Sequence, residues 1–181
     1  MHGLIFGGLR EFAEQRLGAA AAAEIWAGTA FELDAAYPDE DFLAQVERVR
    51  AAAGVTHSEL EREFGSFTAQ EVFLRLYPDY YDANAGCLPF LLGIEEKIHE
   101  VVRTTIPGAL PPKLHVRTLG ADGVLVSYTS ERQLCRLLEG LLLGVAAHYG
   151  ERVALEEIQC MHRDDPGCVF TVQLEQLQQE R

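Results

Sequence analysis

Pro111–Ser130, PPKLHVRTLGADGVLVSYTS, is the stretch on which the fold turns. Upstream of it, apolar residues recur at helical spacing. After Pro112 that period changes: Leu114-His115-Val116 and Val124-Leu125-Val126-Ser127-Tyr128 are rich in β-branched and aromatic residues, with Gly120-Ala121-Asp122-Gly123 between them. Two such runs around a glycine-rich turn specify a β-hairpin. Pro111 and Pro112 lack a backbone N–H, so the helix before them ends there, with Pro107 and Gly108 already weakening it.

Downstream, Ser130 to Tyr149 predicts one long apolar helix bearing Leu134, Leu137, Leu138, Leu141, Leu142 and Val145. Val153 to Met161 and Cys168 to Leu174 flank Asp164-Asp165-Pro166-Gly167, a turn sequence that predicts a second hairpin. The polar tail from Glu175 is expected to fray. Upstream, Pro89 to about Thr104 reads as helix, and Leu76 to Leu88 as a loop or broken helix around Pro78 and Gly86. Thr56 followed by Glu59 is a capping box for a helix running through Leu60 and Phe64 toward Gly65. Further helices are expected over Asp39 to Ala53, over the alanine-rich run Ala19 to Ala27, and from Leu4 through Phe12 to a stop at Gly18. The fold class is α+β: an N-terminal helical subdomain, then a four-stranded antiparallel sheet with a long helix. The expectation is one domain over 1–181, helical to about residue 65 and sheet-bearing from about 66.

Composition bounds the function. With 48% hydrophobic residues among 181, the chain can bury a sizeable core. Fifteen Lys and Arg against 28 Asp and Glu give a formal charge of -13, a surface that repels nucleic acid and anionic lipid. No segment reaches the roughly 18 apolar residues of a membrane helix. The opening Met1-His2-Gly3-Leu4-Ile5-Phe6 has no basic region before a long apolar run, so a cytoplasmic location is expected. Four cysteines are too few for a disulfide framework. There is no glycine-rich phosphate loop and no ordered nucleophile and base, so an enzyme is not expected.

Four features could carry chemistry. His99 shares a helical stripe with Leu92, Val102 and Ile106, and an imidazole on an apolar stripe suits a heme iron. Taken alone, it reads first as a buried histidine bonded to backbone. Tyr128, Ser130 and Arg132 can converge as an extended segment turns into a helix, placing two hydroxyls and a guanidinium around an anion. A helix cap at Ser130 with Gln133 is the plainer account of the same residues. Pro112 is either a rigid wedge against a planar ligand or a connector. Finally, Cys135, Cys160, His162 and Cys168 could supply a tetrahedral zinc set, or be ordinary buried thiols.

In this order the motifs resemble the H-NOX family, the heme nitric oxide/oxygen binding domains related to the heme domain of soluble guanylate cyclase. The likeness runs from Met1-His2-Gly3-Leu4-Ile5-Phe6 through Glu63-Phe64-Gly65-Ser66-Phe67, Phe90-Leu91-Leu92-Gly93-Ile94 and Ile98-His99 to Pro112 and the Tyr-x-Ser-x-Arg of Tyr128, Ser130 and Arg132. The resemblance implies a heme b held by His99 as iron ligand, with Tyr128, Ser130 and Arg132 on its propionates and Pro112 against the porphyrin. It implies a pocket that includes Ile5, Leu137 and Leu141. Where oxygen-binding members carry a distal tyrosine, this chain has Leu137, so a sensor of nitric oxide (also carbon monoxide) that excludes oxygen is expected. The implied mechanism is a switch: gas binding weakens the His99 bond and the His99 helix shifts. The output would pass in trans to a partner such as a histidine kinase or a cyclic-di-nucleotide enzyme. The alternative function is a zinc- or thiol-based redox module on Cys135, Cys160, His162 and Cys168.

Overall fold

The computed structural model describes residues 1–106 and 108–175; Pro107 and the tail past Glu175 lie outside the described residues. α1 (Gly3–Leu17) begins at His2, whose Nδ1 accepts the Leu4 N–H, and stops at Gly18, where φ is 88°. α2 (Ala19–Ile25) follows directly. α3 (Asp39–Ala53) carries Asp39, Glu40 and Asp41 in its first turn, where the helix dipole favours anions. α4 (His57–Phe67) opens with the expected capping box between Thr56 and Glu59, a cap contributing about 1 kcal/mol.

α4 does not end at Gly65. It runs on through a π-helical turn, Thr68–Phe73, to Leu74–Leu76. Gly65 is a contact rather than a stop: a Cβ there would lie 2.2 Å from the Leu137 carbonyl oxygen. The expected broken segment contains the short α5 (Pro78–Asp82), started by its proline. α6 (Cys87–Ile94) continues through a second π-helical turn, Glu95–His99, into Glu100–Thr105.

The two hairpins form as expected and join into one antiparallel sheet of order β1-β2-β4-β3, with β1 Lys113–Thr118, β2 Gly123–Thr129, β3 Val153–Gln159 and β4 Cys168–Leu174. Leu114 pairs with Tyr128, and Tyr128 with Cys168. The long helix, α7 (Cys135–His148), starts five residues later than Ser130. The Ser130 hydroxyl accepts the Arg132 N–H, its carbonyl accepts the Gln133 N–H, and Gln133 takes a φ of 52°. These local bonds compete with the helix and hold a turn instead.

Two apolar clusters result. One gathers Phe6, Leu9, Phe12, Phe42, Leu60 and Phe64 from α1, α3 and α4. The other packs Tyr81, Phe90 and Leu142 on the sheet residues Val124, Val126 and Phe170. They meet where α4 crosses α7 at backbone distance: a Cβ at Gly140 would sit 2.1 Å from the Arg62 carbonyl oxygen, and one at Gly144 2.7 Å from that of Ser66. Among the described residues, no helix is long and apolar enough to cross a membrane.

Candidate functional site

Between the clusters lies a cavity of about 220 Å³. Its walls come from α1 (Ile5), α6 (Leu91, His99, Val102), the segment before β1 (Leu110, Pro112), β2 (Tyr128) and α7 (Leu137, Leu141). Of the residues expected around a heme, Ile5, Val102, Pro112, Leu137 and Leu141 line this cavity, and Leu92 does not. Leu92 is 45% exposed and faces away from the cavity; Leu91 takes its place at 3%. Seven residues make two α-helical turns, but the wider π turn at Glu95–His99 inserts one more, so the residue stacked under His99 is Leu91.

His99 is largely buried on this wall. Its Nδ1 lies 3.1 Å from Glu95 Oε2, one turn back on the same helix. An ionised carboxylate can only accept, so Nδ1 carries the proton and the lone pair is on Nε2. The same Glu95 oxygen accepts the Leu114 N–H at 3.0 Å, and its other oxygen pairs with Arg103. Burial pushes the Glu95 carboxyl up, but Arg103, the Leu114 N–H and His99 together hold it below the usual carboxylate value. Burial draws the His99 imidazole below its ordinary value, against the pull of Glu95. The result is a neutral imidazole with one nitrogen tied and the other available as a donor to a metal.

Tyr128, Ser130 and Arg132 also line the cavity, as a group. Burial lifts the Tyr128 hydroxyl to about 12, so it remains a protonated donor. Arg132 is held from two sides. Nη1 donates to the Leu110 carbonyl at 2.6 Å, and Nε lies 2.8 Å from Asp39 Oδ2, across from the helical lobe. Asp39 Oδ1 is in turn 2.6 Å from the Met1 amino group. Burial raises the Asp39 carboxyl, but Met1 and Arg132 outweigh it and hold it below its usual value. The clamp is therefore a preset cation flanked by hydroxyls.

Sequence reasoning missed Glu95, Asp39 and His2. The Glu95–His99 spacing of four on a helix was a usable signal. Nothing local marked Asp39 or His2. His2 lines the cavity, and its Nε2 is buried with no partner among the described residues.

The sulfur groups lie elsewhere. Cys135, Cys160 and Cys168 are buried and gather with Glu157, their donor atoms within 4.8 Å of one another; the Cys135 and Cys160 sulfurs are 3.7 Å apart. His162 is not part of the group. It sits on the turn Met161–Arg163 with Nε2 2.9 Å from the Gln133 carbonyl oxygen. Glu157 is already held by Arg136 at 2.6 Å and Arg163 at 3.0 Å, and burial pushes the Cys135 and Cys168 thiols up. Both guanidinium contacts fall on Glu157 Oε2, and Oε1 is buried with no partner among the described residues. The raised thiols favour the protonated form over the thiolate a zinc ion needs, so the cluster reads better as buried thiols than as a zinc set.

An apolar cavity with one neutral imidazole on its wall and a cation with hydroxyls at its rim fits a flat, apolar metal complex that carries carboxylates. The comparisons with known proteins point the same way. The family model HNOB, described as haem-NO-binding, matches residues 2–157. No curated protein matches the sequence. Among solved structures, the chain is similar to an H-NOX protein from S. oneidensis in the Fe(II)NO ligation state, with TM-score 0.89 and 22% identity over 97% of this chain and 100% of that one. It is also similar to the Fe(II) unliganded H-NOX protein from K. algicida, with TM-score 0.82 and 20% identity over the whole of both chains. An NMR structure of an H-NOX domain from Shewanella oneidensis in the Fe(II)CO ligation state matches with TM-score 0.87 and 22% identity over 98% of this chain and 100% of that one.

Proposed function

The chain belongs to the haem-NO-binding (H-NOX) family, and from that premise we propose that it is a nitric oxide sensor that binds heme b through His99. The observation that carries the reading is the His99 imidazole: neutral, oriented by Glu95, and set in the wall of an apolar cavity that has a cationic clamp at its rim. Heme bound there would supply a ferrous iron able to take a diatomic gas.

The protein's own groups do the rest. Glu95 keeps the His99 proton on Nδ1 and so keeps Nε2 basic. Arg132, Ser130, Tyr128 and Pro112 line the cavity; the first three would hold the propionates of a bound heme, and Pro112 would pack against it. Ile5, Leu137 and Leu141 are aliphatic, and none of the three offers a donor to oxygen, which leaves nitric oxide and carbon monoxide favoured. The signal is a displacement of α6, because its π turn and the Glu95–Leu114 bond couple His99 to the sheet. The receiver acts in trans, in the cytoplasm, and a histidine kinase or a cyclic-di-nucleotide enzyme fits that role.

The test is His99→Gly. Purified wild-type protein should carry an intense Soret band. The glycine variant, expressed without imidazole, should lose most of it, and free imidazole should restore it. A variant that keeps the band unchanged without imidazole would show that another residue holds the iron.

A further inference from the structure

We propose that His2 is a further member of the carboxylate clamp, its Nε2–H donating to a carboxylate of the acidic ligand that Arg132 holds. The inference rests on the heme reading of the cavity and extends it to a residue outside the Tyr128, Ser130 and Arg132 set.

The tautomer follows from the helix cap. The Leu4 N–H donates to His2 Nδ1 at 3.3 Å, so the neutral ring carries its proton on Nε2. That nitrogen is buried, lies on a cavity-lining residue and has no partner among the described residues. A buried donor left unpaired forfeits its hydration, so a partner is expected inside the cavity. Three other polar groups on the walls are already bonded: Tyr80 donates to the Phe90 carbonyl at 2.6 Å, Tyr81 to that of Ala69 at 2.7 Å, and His99 to Glu95.

Position decides what the partner is. The residue before His2 places its amino group 2.6 Å from Asp39 Oδ1, and Asp39 Oδ2 is 2.8 Å from Arg132 Nε. His2 therefore enters the cavity from the Arg132 side. A nitrogen that carries a proton cannot ligate iron; it needs an acceptor, and the acceptor a heme brings to Arg132 is a carboxylate. The backbone around His2 is held in place. His2 bridges Ala36, the Gly3 N–H donates to Ala35 at 2.8 Å, and the Tyr37 N–H donates to Met1 at 2.9 Å.

Two variants separate the cap from the clamp. His2→Asn keeps an acceptor where Nδ1 stands and so keeps the cap, but has nothing to reach the Nε2 position. His2→Gln keeps a donor near that position and gives up the cap. The measurement is the rate at which holoprotein releases its porphyrin to excess apomyoglobin. It is made once with protoheme and once with an iron porphyrin bearing ethyl groups in place of the carboxylate side chains. The expected result is protoheme loss about tenfold faster or more in His2→Asn, near wild type in His2→Gln, and equal for all three with the ethyl porphyrin. Unchanged protoheme loss in His2→Asn overturns the proposal, and so does an equal acceleration with the ethyl porphyrin. A chain that takes up neither porphyrin overturns the heme reading, and this inference with it.

Discussion

His99 owes its state to a carboxylate one helical turn away. Glu95 accepts the Nδ1 proton, anchors to the Leu114 N–H and balances Arg103, so one side chain fixes both the tautomer and the orientation of the imidazole. Replacing it should loosen the donor without removing it: Glu95→Ala is expected to weaken heme retention by about 10–100-fold, read as the rate of transfer to apomyoglobin. Retention equal to wild type would mean that the ring is held by packing alone. The Asp39–Arg132 pair makes a pH-dependent contribution. The Asp39 carboxyl titrates at the ordinary carboxylate value when unfolded and lower when folded, so the pair's stabilisation is fully present above the unfolded value and is lost as pH falls through the folded one. At 39% exposure the side chain is well screened, which limits the effect to under about 1 kcal/mol. Thermal unfolding should therefore place Asp39→Asn slightly below wild type at pH 7, with the gap closing toward pH 3. A gap that widens in acid would contradict the assignment. His99 and the Tyr128, Ser130 and Arg132 set were legible from residue type and order. Asp39 was not, because its partner lies on another lobe and no local pattern ties the two.

The helices were read from period and caps, and those signals held at Thr56 and Gly18, where side-chain or glycine chemistry acts within one turn. Two kinds of feature escaped. A π turn uses the same residue types as an α turn, so Glu95–His99 was invisible, and with it the exchange of Leu92 for Leu91 on the cavity wall. Gly65 looked like a stop because glycine often is one, yet here it makes room for another helix. The α4–α7 crossing depends on that room. Gly140→Ala would drive a methyl into the Arg62 carbonyl, and overpacking of this kind costs about 1–3 kcal/mol. The expected consequence is a Tm lower by about 2–12 °C, measured by circular dichroism. An unchanged Tm would show that the two helices can separate freely.

At the scale of the whole molecule, two lobes with separate cores share one cavity; Arg132 pairs with Asp39 from one lobe to the other at the clamp, and Glu95 ties α6 to Leu114 of the sheet beside His99. Anything that moves α6 against the sheet strains these ties, which is how a small ligand could alter the surface that a partner meets. The α+β class, the sheet and its hairpins were legible because strand and helix periods differ so plainly on either side of Pro112. The meeting of the lobes was not, since it depends on glycine contacts and ion pairs between distant segments. With a formal charge of -13, the surface suits a partner that presents a basic face. The account stands or falls on the gas that the cavity accepts. The direct measurement is the absorption spectrum of the ferrous protein, recorded first in air and then under nitric oxide. The account predicts no stable oxygen complex in air, because Leu137 offers no donor, and a distinct, stable spectrum under nitric oxide. A stable ferrous–oxygen spectrum in air, with no further change under nitric oxide, would contradict it.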